Sequence, residues 1–91
     1  MELLYGVVNM GVVESRKVKD PRQLQIDLDS YIAHVSKKYK DILVAPISVT
    51  LGDEWQLITS KPSECYNLVH EFQKLLWQNG LELYAGIGIG M

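Results

Sequence analysis

The sequence has a single cysteine, Cys65, so no internal disulfide can brace the fold, and a reducing compartment, the cytoplasm, is the expected setting. It has no apolar run near the roughly 18 residues that cross a bilayer. Glu2 precedes only a short apolar stretch, which is poor grammar for a secretory leader, so no membrane is expected as a partner. Neither sign of charge dominates. Nine Lys and Arg stand against eleven Asp and Glu, a formal net charge of -2, and the pI is about 5.6. That balance excludes the basic footprint of a general polyanion binder, and direct DNA binding is not expected. Repeats and low-complexity segments are also missing. What is present is an ordinary globular composition, 47% hydrophobic and 22% charged. Ninety-one residues make one domain, and a chain of this size buries only a little over about 60% of its unfolded surface, so the core should be thin.

The hydrophobic pattern alternates between strand and helix periods. Residues 3–9 form a short, nearly continuous apolar run, as in a central strand buried on both faces, and 10–19 read as a loop. Asp20-Pro21-Arg22-Gln23 reads as a helix start, with Asp as cap, Pro at the first position and Gln at the capping-box position. Leu24, Leu28, Tyr31, Ile32, Val35 and Tyr39 then recur at helical spacing. Residues 42–51 alternate as a second strand, which Pro46 assigns to an edge. Gly52-Asp53 turns the chain into a third strand over 55–59. Cys65, Leu68, Val69, Phe72, Leu75 and Leu76 mark a second helix over 62–78, closed by Asn79-Gly80, and a fourth strand over 81–89 follows. The order βαββαβ predicts a ferredoxin-like α+β fold, a four-stranded antiparallel sheet in order 4-1-3-2 with both helices on one face.

Chemistry concentrates at one end of that sheet. The Gly52-Asp53-Glu54 turn sets two carboxylates beside a bend, and the topology brings Asn9 and Gly11 next to it. Arg16, Lys17, Lys19 and Arg22 surround the start of the first helix, whose free amides favour an anion. The turn reads either as a solvated hairpin or as a Mg²⁺-phosphate site. His34 and His70 have no acidic or cysteine partner at ligand spacing, Cys65 reads as a buried structural thiol, and Trp55 and Trp77 read as core and boundary aromatics. Gly86, Gly88 and Gly90 alternate, so one face of the last strand has no side chains, a place for a helix, a partner strand or a nucleotide ring.

Several of these segments together resemble the N-terminal domain of the SatD family of bacterial proteins. They are the block Val12 to Lys17, the Leu24-Gln25 helix start, the hairpin Thr50 to Trp55 and the ending Gly86 to Gly90. That family is in turn similar in fold to the palm of class III nucleotide cyclases, GGDEF domains and the polymerase-like domain of type III CRISPR effectors. The resemblance implies two Mg²⁺ ions held by one aspartate at the end of the first strand and another in the hairpin. Asp53 matches the hairpin aspartate, with Glu54 beside it, whereas the first-strand position falls on Gly11. The family's proteins also run on towards a helix-turn-helix-like segment, so residues 1–91 are expected to be one palm-like domain in a truncated or minimal form.

The expected function is a non-catalytic regulatory and interaction domain. Its degenerate nucleotide or Mg-phosphate site would use Asp53 and Glu54 for the metal and Ser15, Arg16, Lys17 and Arg22 for phosphate. The alternative is a dimerisation or docking module with no ligand, and an active cyclase-like enzyme ranks third, because it needs a second acid. Mg²⁺ is the one cofactor implied. A homodimer is expected, through the sheet face, where Leu4, Val44 and Ile58 would form an apolar patch, or through the edge of the fourth strand.

Overall fold

The computed structural model describes residues 4–13, 20–51 and 53–90. β1 (Tyr5–Val12) lies inside the sheet and pairs antiparallel on both sides, with β3 (Glu54–Thr59) and with β4 (Leu83–Gly90). β2 (Ser48–Leu51) pairs antiparallel with β3, which gives one four-stranded sheet in the order β2-β3-β1-β4. Read from the other edge, this is the order the sequence pattern predicts. α1 (Pro21–Lys38) and α2 (Cys65–Trp77) complete an α+β domain.

β1 runs three residues further than its apolar run suggests. Met10 and Val12 are almost wholly buried, and the Val12 amide donates to the Asp53 carbonyl at 3.3 Å, so the strand continues where a loop is expected. β2 is correspondingly shorter than predicted. Its first part is reduced to a bridge between Leu43 and Thr59. The Val44 amide donates to the Ile58 carbonyl, so by alternation position 46 would also have to donate to β3, and the stretch around Pro46, which has no N–H, leaves the ladder. A register shift between Val49 and Leu51 precedes the hairpin.

Both helices begin and end where local chemistry sets them. Asp20 caps α1 by accepting the Gln23 amide at 3.1 Å, with Pro21 at the first turn. Gln23 does not complete the expected capping box; its side chain turns along the helix, where Nε2 donates to Asp27 Oδ1 at 2.9 Å. A 3₁₀ turn, Pro62–Glu64, leads into α2, so the second helix starts more tightly than its periodicity implies. At its end Gly80 has φ +71°, and the amides of Gly80 and Leu81 reach the carbonyls of Trp77 and Leu76, both at 3.0 Å. This reverse turn needs a left-handed residue, which glycine supplies without a Cβ clash.

The core lies between the helices and one face of the central strands. Leu24, Leu28, Tyr31 and Val35 of α1 and Cys65, Leu68, Phe72 and Leu76 of α2 are buried against Val8, Met10, Val12, Trp55 and Leu57. Trp55 is the largest fully buried side chain, its ring centroid 5.2 Å from that of Phe72. Trp77, by contrast, is 58% exposed. Across the helix pair Asn79 donates to the Tyr31 hydroxyl.

A charged clasp joins the helices as well. Glu71 is buried on α2 and accepts from Lys38 Nζ of α1 at 2.6 Å, with Lys74 Nζ at 3.4 Å and His34 Nε2 at 3.9 Å. Hydrogen bonding from Lys38 holds the Glu71 carboxyl below its ordinary value, and the same bond holds the Lys38 ammonium above its own. The clasp therefore stabilises the fold fully between the two ordinary values of 4.5 and 10.5. It is lost as pH falls through the depressed Glu71 value or rises through the raised Lys38 value. Glu71→Gln should lower the urea midpoint at pH 7, and the gap to the wild-type chain should close as pH drops below 4.5. A gap that persists unchanged in acid would show that the carboxylate charge is not what stabilises the helix pair.

Candidate functional site

On the sheet face away from the helices, the register sets Glu54 of β3 and Tyr84 of β4 on either side of Gly11 in β1. With no side chain at Gly11, the phenol of Tyr84 crosses β1, and its hydroxyl donates to Glu54 Oε1 at 2.8 Å. The crossing is close. A Cβ built on Gly11 would collide with the Tyr84 hydroxyl and ring, lying 2.7 Å from Cε1. Gly11 is buried by this ring although it lies on the open face. The bond to Glu54 is also the main reason that the Tyr84 hydroxyl is held above its ordinary value, with burial and the charges of Glu54 and Asp53 adding to it.

The residues singled out by the sequence fare differently. Asp53 is half-buried beside the turn, and its carbonyl is held by the Val12 amide. Glu54 is half-buried and engaged by Tyr84. Asn9 shares the face of Glu54 but sits two rungs along, opposite Gln56 and Gly86. Arg22 is exposed on the first turn of α1, and no hydrogen bond or ion pair among the described residues joins it to the turn. Ser15, Arg16 and Lys17 lie outside the described residues, as do Glu14, Lys19 and Gly52.

His34 does have an acidic neighbour, Glu71, which spacing along one helix could not disclose because it comes from the other. Cys65 is buried, and burial pushes its thiol up, the setting of an inert structural cysteine. The glycine stripe needs correction. Gly86 and Gly88 share the open face with Asn9 and Val7, and a Cβ on Gly86, Gly88 or Gly90 would meet nothing within 4 Å, so no helix packs there. Of the expected apolar patch, Leu4 and Val44 are exposed and Ile58 is half-buried. At the far end of the sheet a shallow cleft is lined by Lys38, Tyr39, Asp41, Ile42, Lys61 and Glu64. It carries both signs of charge and favours neither an anion nor a cation.

The residues present do not fit a two-metal centre. Such a centre needs carboxylates from both β1 and the hairpin. The β1 position is a glycine whose space Tyr84 fills, and Tyr84 also takes up one oxygen of Glu54. Among the described residues no group of three His, Cys, Asp or Glu could hold a metal ion. Tyr84 is the participant that sequence reasoning missed. The available signal was strand register, which places an aromatic opposite the glycine near the end of β1.

Comparison with known families places the SatD family model over residues 5–91 of the chain. No curated protein sequence matches it.

If Tyr84 fills the space above Gly11, the two positions are coupled. Gly11→Ala should cost about 1–3 kcal/mol in the wild-type background, the usual range for overpacking. The same change should cost much less once Tyr84→Ala has emptied the site, a difference readable by denaturant unfolding of the four proteins of the cycle. Equal costs in both backgrounds would show that the ring and the strand do not compete for this space.

Proposed function

The chain belongs to the SatD family, and from that premise we propose that it is a non-catalytic, ferredoxin-like domain of palm type that works by docking, without phosphoryl chemistry. The Tyr84 to Glu54 bond across Gly11 carries this reading. Where a palm enzyme would need a second acid, a phenol lies over bare backbone and donates a hydrogen bond to the carboxylate that would otherwise face a metal. A cation arriving at the turn would meet the Asp53 carboxylate and a Glu54 already engaged. The donor set is too small for the clamp on attacking and leaving oxygens that two-metal catalysis requires. The geometry supports the docking reading over a degenerate nucleotide site. The latter would have to draw its phosphate contacts from Arg22 and from Ser15, Arg16 and Lys17. Regulation by contact also suits a domain whose sheet, among the described residues, presents one uncovered face.

Isothermal titration of the chain with ATP or GTP and Mg²⁺ tests the proposal. No heat is expected at millimolar ligand, and no product should form on long incubation. Saturable binding abolished by Asp53→Ala would instead establish a nucleotide site at the turn and overturn the docking assignment.

A further inference from the structure

β4 is an open edge strand. It spans eight residues and, among the described residues, pairs on one side only. The Val13 amide donates to the Glu82 carbonyl at 2.8 Å, so the 13/82 pair is hydrogen-bonded, and alternation down the ladder assigns the β4 partners of β1 to positions 84, 86, 88 and 90. Leu83, Ala85, Ile87 and Ile89 therefore turn their amides and carbonyls away from the sheet. The strand Leu83–Gly90, LYAGIGIG, contains no charge and no proline, and its ladder with β1 runs from end to end without a bulge. Natural edge strands normally carry one of these devices. The other edge is guarded, since β2 is four residues long and follows the Pro46 interruption.

We propose that this edge pairs with the same edge of a second copy, two β4 strands running antiparallel about a two-fold axis that passes beside Gly86. The proposal extends the docking reading by naming the partner. In this register Leu83 faces the second copy's Ile89 and Ala85 faces the second copy's Ile87, so that all four outward residues of each strand are matched. On the helix side, Ile87 and Ile89, 38% and 62% exposed in the single chain, are covered, and a large residue meets a small one at the 85/87 pairs. On the open side Gly86 meets Gly86 of the second copy. Tyr84 stands opposite Gly88 of the second copy, which has no side chain to compete with the phenol for its place over Gly11. No charge has to be desolvated along the strand. Because the guarded β2 edge offers no second site, pairing closes at two copies.

Sedimentation and site-specific crosslinking test the arrangement. The wild-type chain should sediment as a dimer at high micromolar concentration, and Ile87→Lys should be a monomer with an unchanged circular dichroism spectrum. In the proposed register position 86 forms a non-hydrogen-bonded pair with itself, Cα atoms about 4.5 Å apart, within disulfide reach. Gly86→Cys, at a site where a new Cβ meets nothing, should crosslink to a covalent dimer under mild oxidation. Ile87→Cys, diagonal to itself at about 7–8 Å, should not. A wild-type monomer over the whole range overturns the proposal, as would be seen if the edge takes a strand from a different protein. Crosslinking at 87 in place of 86, or a dimer that survives Ile87→Lys, overturns it equally. Nucleotide titration reads the hairpin and crosslinking reads the edge, so this proposal and the docking assignment can fail separately.

Discussion

Every relation in this domain depends on the hydrogen bonds of β1, which alternate between its two neighbours. Val12 donates to Asp53 on one side and Val13 to Glu82 on the other, and the registers with β3 and β4 follow from that alternation. Because a strand's side chains also alternate, the same arithmetic decides which residues meet the helices. Val8, Met10 and Val12 go into the core, while Asn9 and Gly11 go to the open face. A slip of one residue would put Met10 in water and Asn9 in the core, so burial of three apolar side chains protects the register that sets Gly11 between Glu54 and Tyr84.

The chemistry of the hairpin end is therefore a consequence of strand pairing. Glycine at position 11 leaves room, Tyr84 is the residue the register delivers to that room, and Glu54 is the acceptor opposite. The arrangement satisfies a carboxylate with a neutral donor. It draws the β4, β1 and β3 strands together at the one end of the sheet where the ladder gives way to the turn.

Much of the fold was legible because its signals are local. Asp20-Pro21 marks the start of α1, the helical spacing of Leu24, Leu28, Tyr31 and Val35 marks its buried face, and Gly80 marks the end of α2. The errors share a physical cause, since each concerns what a segment pairs with. Met10 to Val12 read as loop when taken alone and are strand because β3 and β4 flank them. Residues around Pro46 alternate as a strand does, yet the missing N–H breaks the ladder to β3. Gln23 sits at a capping-box position, but its side chain turns along the helix and donates to Asp27 in place of reaching back to the cap. At the site, Asp53 and Glu54 were visible as a turn and the loss at Gly11 was visible by comparison. Tyr84 and the Lys38–Glu71 clasp were hidden by the chain length that separates their partners.

The two tryptophans divide the chain's optical signal. Trp55, 1% exposed against Phe72, emits from a dry interior, while Trp77, 58% exposed, emits as an indole in water. Unfolding changes the surroundings of the first and leaves the second nearly as it was, so the red shift of the whole spectrum understates the fraction unfolded unless the constant background is removed. With Trp77 replaced by Phe, the emission would come from one buried ring in β3, next in sequence to Glu54, so the spectrum would report on the strand that carries the hairpin.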